Sequence, residues 1–134
     1  MPTEIRVYYK DTDAGGVVYY ANYLNFFEIA RTEFLRQQGL VVEDYVAQGI
    51  LFMVVEAQLK YHSPARYGDV LAISAEISEL RKASLVFRHQ ITRRGQSELL
   101  AEGSARLACV NASGKPMKMP PEFFQKLQML SAPA

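Results

Sequence analysis

Two carboxylates one residue apart, Asp11 and Asp13, stand in a short polar stretch that ends in Gly15-Gly16 and leads into a long apolar segment. Val17, Val18 and Tyr19 precede that segment, so no Ser, Thr, Asp or Asn stands immediately ahead to cap a helix start. The first N–H groups of such a helix are left without a partner of their own. A carboxylate facing bare amides at a helix start suits chemistry on a polarised carbonyl, with the acid handling a water or the carbon and the amides drawing charge onto the oxygen. In isolation Asp13 also fits an Asx turn, and Gly15 and Gly16 fit unusual backbone angles. The functional addition is that a stretch without side chains lets a substrate come close.

The elements that must position these residues follow from the hydrophobic pattern. Residues 4–9 alternate, with Ile5, Val7 and Tyr9 on one side, which predicts a strand; residues 10–18 are a loop. Residues 20–38 predict one helix about 28 Å long at 1.5 Å per residue, ended by Gly39. Its polar stripe is Asn25, Glu28, Thr32 and Arg36, and its apolar face is Tyr20, Tyr23, Leu24, Phe27, Ala30 and Phe34, widened by Phe26 and Ile29. So broad a face calls for a helix wrapped by other structure.

Four strands are predicted after it. Residues 52–62 place Met53, Val55, Ala57, Leu59 and Tyr61 together; residues 70–78 turn Leu71, Ile73, Ala75 and Ile77 inward. Residues 84–92 group Leu85, Phe87, His89 and Ile91, and residues 99–110 group Leu99, Ala101, Gly103, Ala105, Leu107 and Cys109. The small row Ala101, Gly103 and Ala105 leaves room for a helix thick with Phe and Tyr. Short connections imply antiparallel pairing. Pro120-Pro121-Glu122 starts a last helix through Met129. The expected fold is α+β: a five-stranded antiparallel sheet around one long helix, in one domain over 1–134. Its long edge strands call for pairing between two copies, a homodimer at least.

Bulk properties narrow the classes. The chain has 134 residues and a net charge of +1, so no field over the whole molecule points to nucleic acid. There is no signal-peptide pattern and no run long enough to cross a bilayer, which points to a cytoplasmic protein without an integral membrane segment. One cysteine, Cys109, excludes an internal disulfide framework and a cysteine-rich zinc site. His62 and His89 lack metal-ligand spacing and read as structural. Arg81 and Lys82, beside Ser84, are the favoured cations for a phosphate-bearing ligand, ahead of Arg66 and Arg88; Arg93-Arg94 reads as a solvated turn.

The run from Val7 to Tyr23, with Glu28-Ile29-Ala30-Arg31 further on, resembles the signature of hot-dog-fold acyl-CoA thioesterases of the 4-hydroxybenzoyl-CoA thioesterase-like group. That group includes small bacterial enzymes associated with the Tol–Pal system. Tyr61, Pro64-Ala65-Arg66, Asp69 and Ser84-Leu85-Val86-Phe87 add to the likeness. The resemblance implies a helix wrapped in an antiparallel sheet, dimers joined edge to edge and often tetramers, with active sites at the dimer interface. It implies that Asp13 is the essential acid, acting as general base or as nucleophile, and that a backbone N–H at the helix start, that of Tyr20, points at the thioester oxygen. Relatives of this type commonly carry His at that position, so what carries over is the amide. Gly16, Tyr9 and Tyr23 would meet the substrate, with Arg81, Lys82 and Ser84 taking the coenzyme A tail. Coenzyme A is then part of the substrate, and no cofactor or metal is called for. An acyl carrier protein thioester is the alternative substrate, and a non-catalytic acyl-CoA sensor is the alternative role.

Overall fold

A close approach of helix to sheet at Gly103 explains the architecture. A Cβ added to Gly103 would lie 2.7 Å from the ring of Phe27, so the central helix sits directly on the small-residue row of the sheet. The computed structural model describes residues 1–131; residues 132–134, the end of the expected domain, lie outside the described residues. The strands are β1 (Thr3–Arg6), β2 (Leu51–Tyr61), β3 (Val70–Ile73), β4 (Glu76–Leu80), β5 (Ser84–Arg93) and β6 (Leu99–Val110). The helices are α1 (Asn22–Gln37), α2 (Val42–Ala47) and α3 (Pro121–Leu130). All strand pairs are antiparallel, in the order β1-β3-β5-β6-β2, with β4 also on β5.

The sheet has six strands where five are expected, because one long strand is interrupted. Ser74 and Ala75 separate β3 from β4 without a slip in register: Ile73 lies opposite Ile91 and Glu76 opposite Arg88. Here the Ser74 hydroxyl accepts the N–H of Gln90 at 2.9 Å, a side chain standing in for ladder backbone. The inward alternation survives the break, with Leu71, Ile73 and Ile77 all fully buried.

Strand β2 corrects the expected pattern. A bulge between Val54 and Glu56 shifts the register, so Phe52 and Val54 share the inner face with Ala57, Leu59 and Tyr61, while Met53 faces away from it. Leu51 to Val55 is unbroken apolar sequence, so alternation could not locate the extra residue. A second shift, between Ile91 and Thr92, buries Leu100 where Leu99 is expected.

Strand β1 ends at Arg6, short of the expected residue 9, because Tyr9–Asp11 turns into a single 3-10 turn. Helix α1 begins at Asn22 and buries Tyr23, Phe26, Phe27, Ala30, Arg31 and Leu35; Leu24 and Ile29 face outward, narrowing the expected apolar face. It ends as expected at Gly39, whose φ of +82° permits the bonds Gly39 N–H to Arg36 O and Leu40 N–H to Leu35 O. Helix α2 has no counterpart in the sequence reading, because six residues are too few to show a period. Beneath α1 the core divides in two: Tyr23, Phe26 and Phe27 over β3 and β6, then Leu35 with Phe87, Phe123 and Leu127 toward α3.

Candidate active site

The loop between β1 and α1 is held by the first acid of the pair. Asp11 is 4% exposed. Its carboxylate accepts the Tyr8 N–H at 2.9 Å, the Asn22 amide at 2.9 Å and the Lys10 ammonium at 3.3 Å. Burial works to raise its pKa, but those donors outweigh burial and hold the group below the ordinary carboxylate value. Its carbonyl accepts the Tyr19 N–H at 2.9 Å. Because Asn22 is the first residue of α1, Asp11 ties the loop to the helix start.

Beyond it the chain doubles back. Asp13 N–H reaches Val17 O at 2.9 Å, and Thr12 bridges Val18. Asp13 itself is exposed, with Oδ1 accepting the Gly15 N–H at 2.8 Å in an Asx turn. Gly16 takes a φ of +79°, and a Cβ there would meet nothing within 4 Å, so the turn is open on that side. Two further bonds fix the loop against the segment after β2: Val18 N–H to Ala65 O at 2.8 Å and Val7 N–H to Asp69 O at 2.8 Å.

The helix start is bare. Ala21 occupies the cap position with no side-chain hydrogen bond, and the N–H groups of Tyr20 and Ala21 find no acceptor among the described residues. The Tyr20 carbonyl is fixed, since it accepts the Tyr61 hydroxyl at 2.7 Å. Burial raises the Tyr61 pKa and keeps that hydroxyl a donor. Tyr23 packs edge-on against Tyr61 at 5.3 Å, and its hydroxyl accepts the Ala65 N–H at 3.1 Å. These three tyrosines, with Val18 and His62-Ser63-Pro64, enclose a cleft of about 230 Å³ at the foot of α1.

The expected site residues thus fall into separate groups. Tyr20 and Tyr23 line the cleft. Asp13 and Gly16 lie in the adjoining turn, off its wall. Tyr9 is 75% exposed and lies outside β1, so it does not share a strand face with Ile5 and Val7; its ring rests 6.0 Å from Tyr67. Arg81, Lys82 and Ser84 occupy the β4–β5 turn, at the other end of β5 and about 30 Å away along that strand. The Arg81 guanidinium lies 3.1 Å from Glu79, Lys82 is exposed, and Ser84 opens β5.

Two contacts of the site were not legible in the sequence as such. Tyr61 is part of the family likeness, but its bond to Tyr20 spans 41 residues. Arg93, expected to be solvated, instead clamps the cleft-side loop: it donates to Asp69 at 3.0 Å and to Pro64 O at 3.0 Å. The histidines behave as structural groups. His62 sits 2.7 Å from Glu102. His89 stacks on Phe27 at 4.7 Å, gives Nδ1 to Ser74 O, and has its pKa lowered to about 4 by burial, the Arg31 charge adding to the fall. The Cys109 thiol is buried, with its pKa raised. No cluster that could hold a metal ion occurs among the described residues.

Comparison with known proteins places this geometry. The model of the thioesterase-like superfamily matches residues 7–127. The chain is 42% identical over 122 residues to the acyl-CoA thioester hydrolase YbgC of Escherichia coli, covering 91% of this chain and 87% of that protein. A hypothetical protein of Thermus thermophilus superposes with a TM-score of 0.90 at 36% identity, covering 96% of this chain and 97% of that one. A 1,4-dihydroxy-2-naphthoyl-CoA thioesterase from Synechocystis shares the fold, with a TM-score of 0.87 at 24% identity over 98% and 97% of the two chains. The architecture is the hot-dog fold.

Proposed function

The chain belongs to the thioesterase-like superfamily, and from that premise we propose that it hydrolyses acyl-CoA thioesters to a carboxylic acid and free coenzyme A. The observation that carries the reading is the bare start of α1, where the unpartnered Tyr20 N–H stands beside a cleft walled by Tyr20, Tyr23 and Tyr61. A thioester oxygen at that amide gains negative charge as the carbonyl carbon is attacked. One such donor contributes about 3 kcal/mol of transition-state stabilisation, and the helix start adds about half a positive charge.

Asp13 supplies the acid function. Its Oδ1 is engaged by the Gly15 N–H, and its Oδ2 has no hydrogen-bond partner among the described residues. That oxygen either takes a proton from the attacking water or attacks the carbonyl carbon to form a mixed anhydride that water then opens; in both routes the coenzyme A thiolate leaves. The open side of Gly16 gives the thioester its approach, with Tyr9 and Tyr23 flanking the acyl group. Coenzyme A enters as substrate, and neither cofactor nor metal takes part.

A second copy completes the site. Strand β2 is an edge, and Met53, Val54 and Val55 lie about half exposed on it. Leu51 opens β2 at the Ser84 end of the sheet, and Tyr61 closes it at the Asp13 end. Antiparallel pairing of two such edges therefore brings the partner's Arg81–Ser84 turn to the end that carries Asp13. There its cations meet the phosphates of the coenzyme A tail. The working unit is a homodimer, which two such dimers extend to a tetramer, and each chain acts as one domain. No described helix is long and apolar enough to cross a membrane, and a cytoplasmic location suits the substrate.

Thiol release from a panel of acyl-CoA and acyl carrier protein thioesters tests the assignment. Turnover of acyl-CoA, with Asp13→Asn lowering kcat by about 10²–10⁴-fold at unchanged fold and oligomeric state, is the expected result. Full activity in that variant removes Asp13 from the chemistry. Binding without turnover by the parent protein favours a sensor, and turnover of the carrier-protein thioesters alone favours the alternative substrate.

A further inference from the structure

Helix α1 carries two charges, Glu28 and Arg31, that make no hydrogen bond or ion pair among the described residues, whereas its Glu33 and Arg36 are paired. Arg31 is 8% exposed, yet its guanidinium makes neither a hydrogen bond nor an ion pair among the described residues. Arg93 and Arg106, both more exposed, each hold carboxylates. The Glu28 charge favours the Arg31 cation without touching it, and a buried cation with no contacting counter-charge is costly. One turn earlier, Glu28 is exposed and also makes no hydrogen bond or ion pair among the described residues. Both residues line a cavity of about 120 Å³ whose other walls include Leu35, Phe52, Val54 and Phe87. That cavity lies against β2, one of the sheet's unpaired edges, at the level of its exposed Met53, Val54 and Val55.

We propose that each protomer of the homodimer closes this cavity on the other, with Glu28 of one helix paired to Arg31 of its partner and the reverse pair formed by the same contact. The inference rests on the dimer described above and names the contact that holds it. A twofold contact is self-complementary, so a residue that meets another across it is met by that residue in return. Glu28 and Arg31 are three residues apart, about 4.5 Å along the helix. A twofold axis perpendicular to α1 and passing beside it, level with the midpoint between them, sets the two α1 helices antiparallel and places opposite charges face to face twice. The apolar residues of β2 surround the two pairs and exclude water from them, the setting in which a charge pair fixes partner and register.

Charge reversal tests this, read by sedimentation velocity and native mass spectrometry. The parent chain is expected to be dimeric. Glu28→Arg and Arg31→Glu each place like charges across the axis and are expected to raise the dimer dissociation constant at least about 100-fold. Mixing the two dissociated variants is expected to give a heterodimer, and the double variant E28R/R31E to dimerise with nearly parental affinity. Glu28 is exposed, so Glu28→Arg and the double variant keep the test sound even if Arg31→Glu fails to fold. A monomeric parent overturns the dimer itself. A dimeric parent whose Glu28→Arg variant dimerises as tightly overturns the ion pairs alone. So does a tight Arg31→Glu dimer that has lost turnover only of acyl groups bearing a distal carboxylate, because the cavity then receives substrate.

Discussion

The Tyr61 hydroxyl donates a 2.7 Å hydrogen bond to the carbonyl of Tyr20, tying the end of β2 to the residue two positions ahead of α1. The N–H groups that flank this carbonyl, those of Tyr20 and Ala21, have no acceptor among the described residues. An amide aimed at a developing charge is effective only when its direction is fixed beforehand. Tyr61→Phe keeps the ring that packs on Tyr23 and removes only the tether. The net stability loss is expected to be about 0.5–1.5 kcal/mol. The fall in kcat is expected to be about tenfold, larger than the change in KM, because the lost order matters most in the transition state. Steady-state kinetics beside a urea titration separates the two, and unchanged kcat would show that the Tyr20 peptide needs no tether.

Arg81 and Lys82 sit at one end of β5, a strand about 30 Å long, and the segment that packs on the Asp13 loop sits at the other, so any role in binding coenzyme A depends on a second copy. The double variant R81A/K82A is expected to raise KM for acyl-CoA several-fold at low ionic strength, with kcat little changed. The effect should shrink as salt is added, because exposed charges are screened over about 10 Å at 0.1 M. A KM that matches the parent at low salt would remove this turn from the binding site.

Gly103 has an ordinary backbone conformation, so its requirement is space and not torsion. Gly103→Ala pushes a methyl against the Gln58 carbonyl oxygen of β2 and against the Phe27 ring of α1. Overpacking of this kind costs about 1–3 kcal/mol. The expected outcome is a lower denaturant midpoint with an unchanged slope, and a parental midpoint would mean that α1 lifts without strain.

His89 sets a pH dependence. Its folded pKa is about 4 and its reference value is 6.5, so between those values the unfolded chain binds the extra proton. Stability from this residue is fully present above pH 6.5 and is lost as the pH falls toward 4. At 1.36 kcal/mol per unit the loss is bounded at about 3 kcal/mol. Denaturant titrations between pH 7 and 4 are expected to show this slope in the parent and a flatter one in His89→Phe. Equal slopes would mean that His89 is protonated in the fold without penalty.

Much of this arrangement was legible because it depends on local pattern. The end of α1 follows from an apolar face closed by Gly39, though its start falls at Asn22 and not at the expected residue 20, and its seat on the sheet follows from Ala101, Gly103 and Ala105. What was not legible depends on partners distant in the chain. The bulge at Val55 hides in a run with no alternation, so the inner face of β2 changes parity unseen. Helix α2 is shorter than any period it could display. Arg93 looks like a turn residue until Asp69 and Pro64 are brought to it. Asp11 and Asp13 are the same residue type two positions apart; the family likeness singles out Asp13, and the fold adds the partners, Tyr8, Asn22 and Lys10, by which Asp11 orders the loop.

Strand β2 also bears on how the chain survives its own synthesis. Between Leu51 and Tyr61 there is no proline, and Glu56 and Lys60 are the only charged side chains. Such a border invites indiscriminate stacking with other newly made chains. The yield of native material should therefore depend on how quickly fresh molecules find a mate, and slow production at low temperature should give more of it than rapid overproduction.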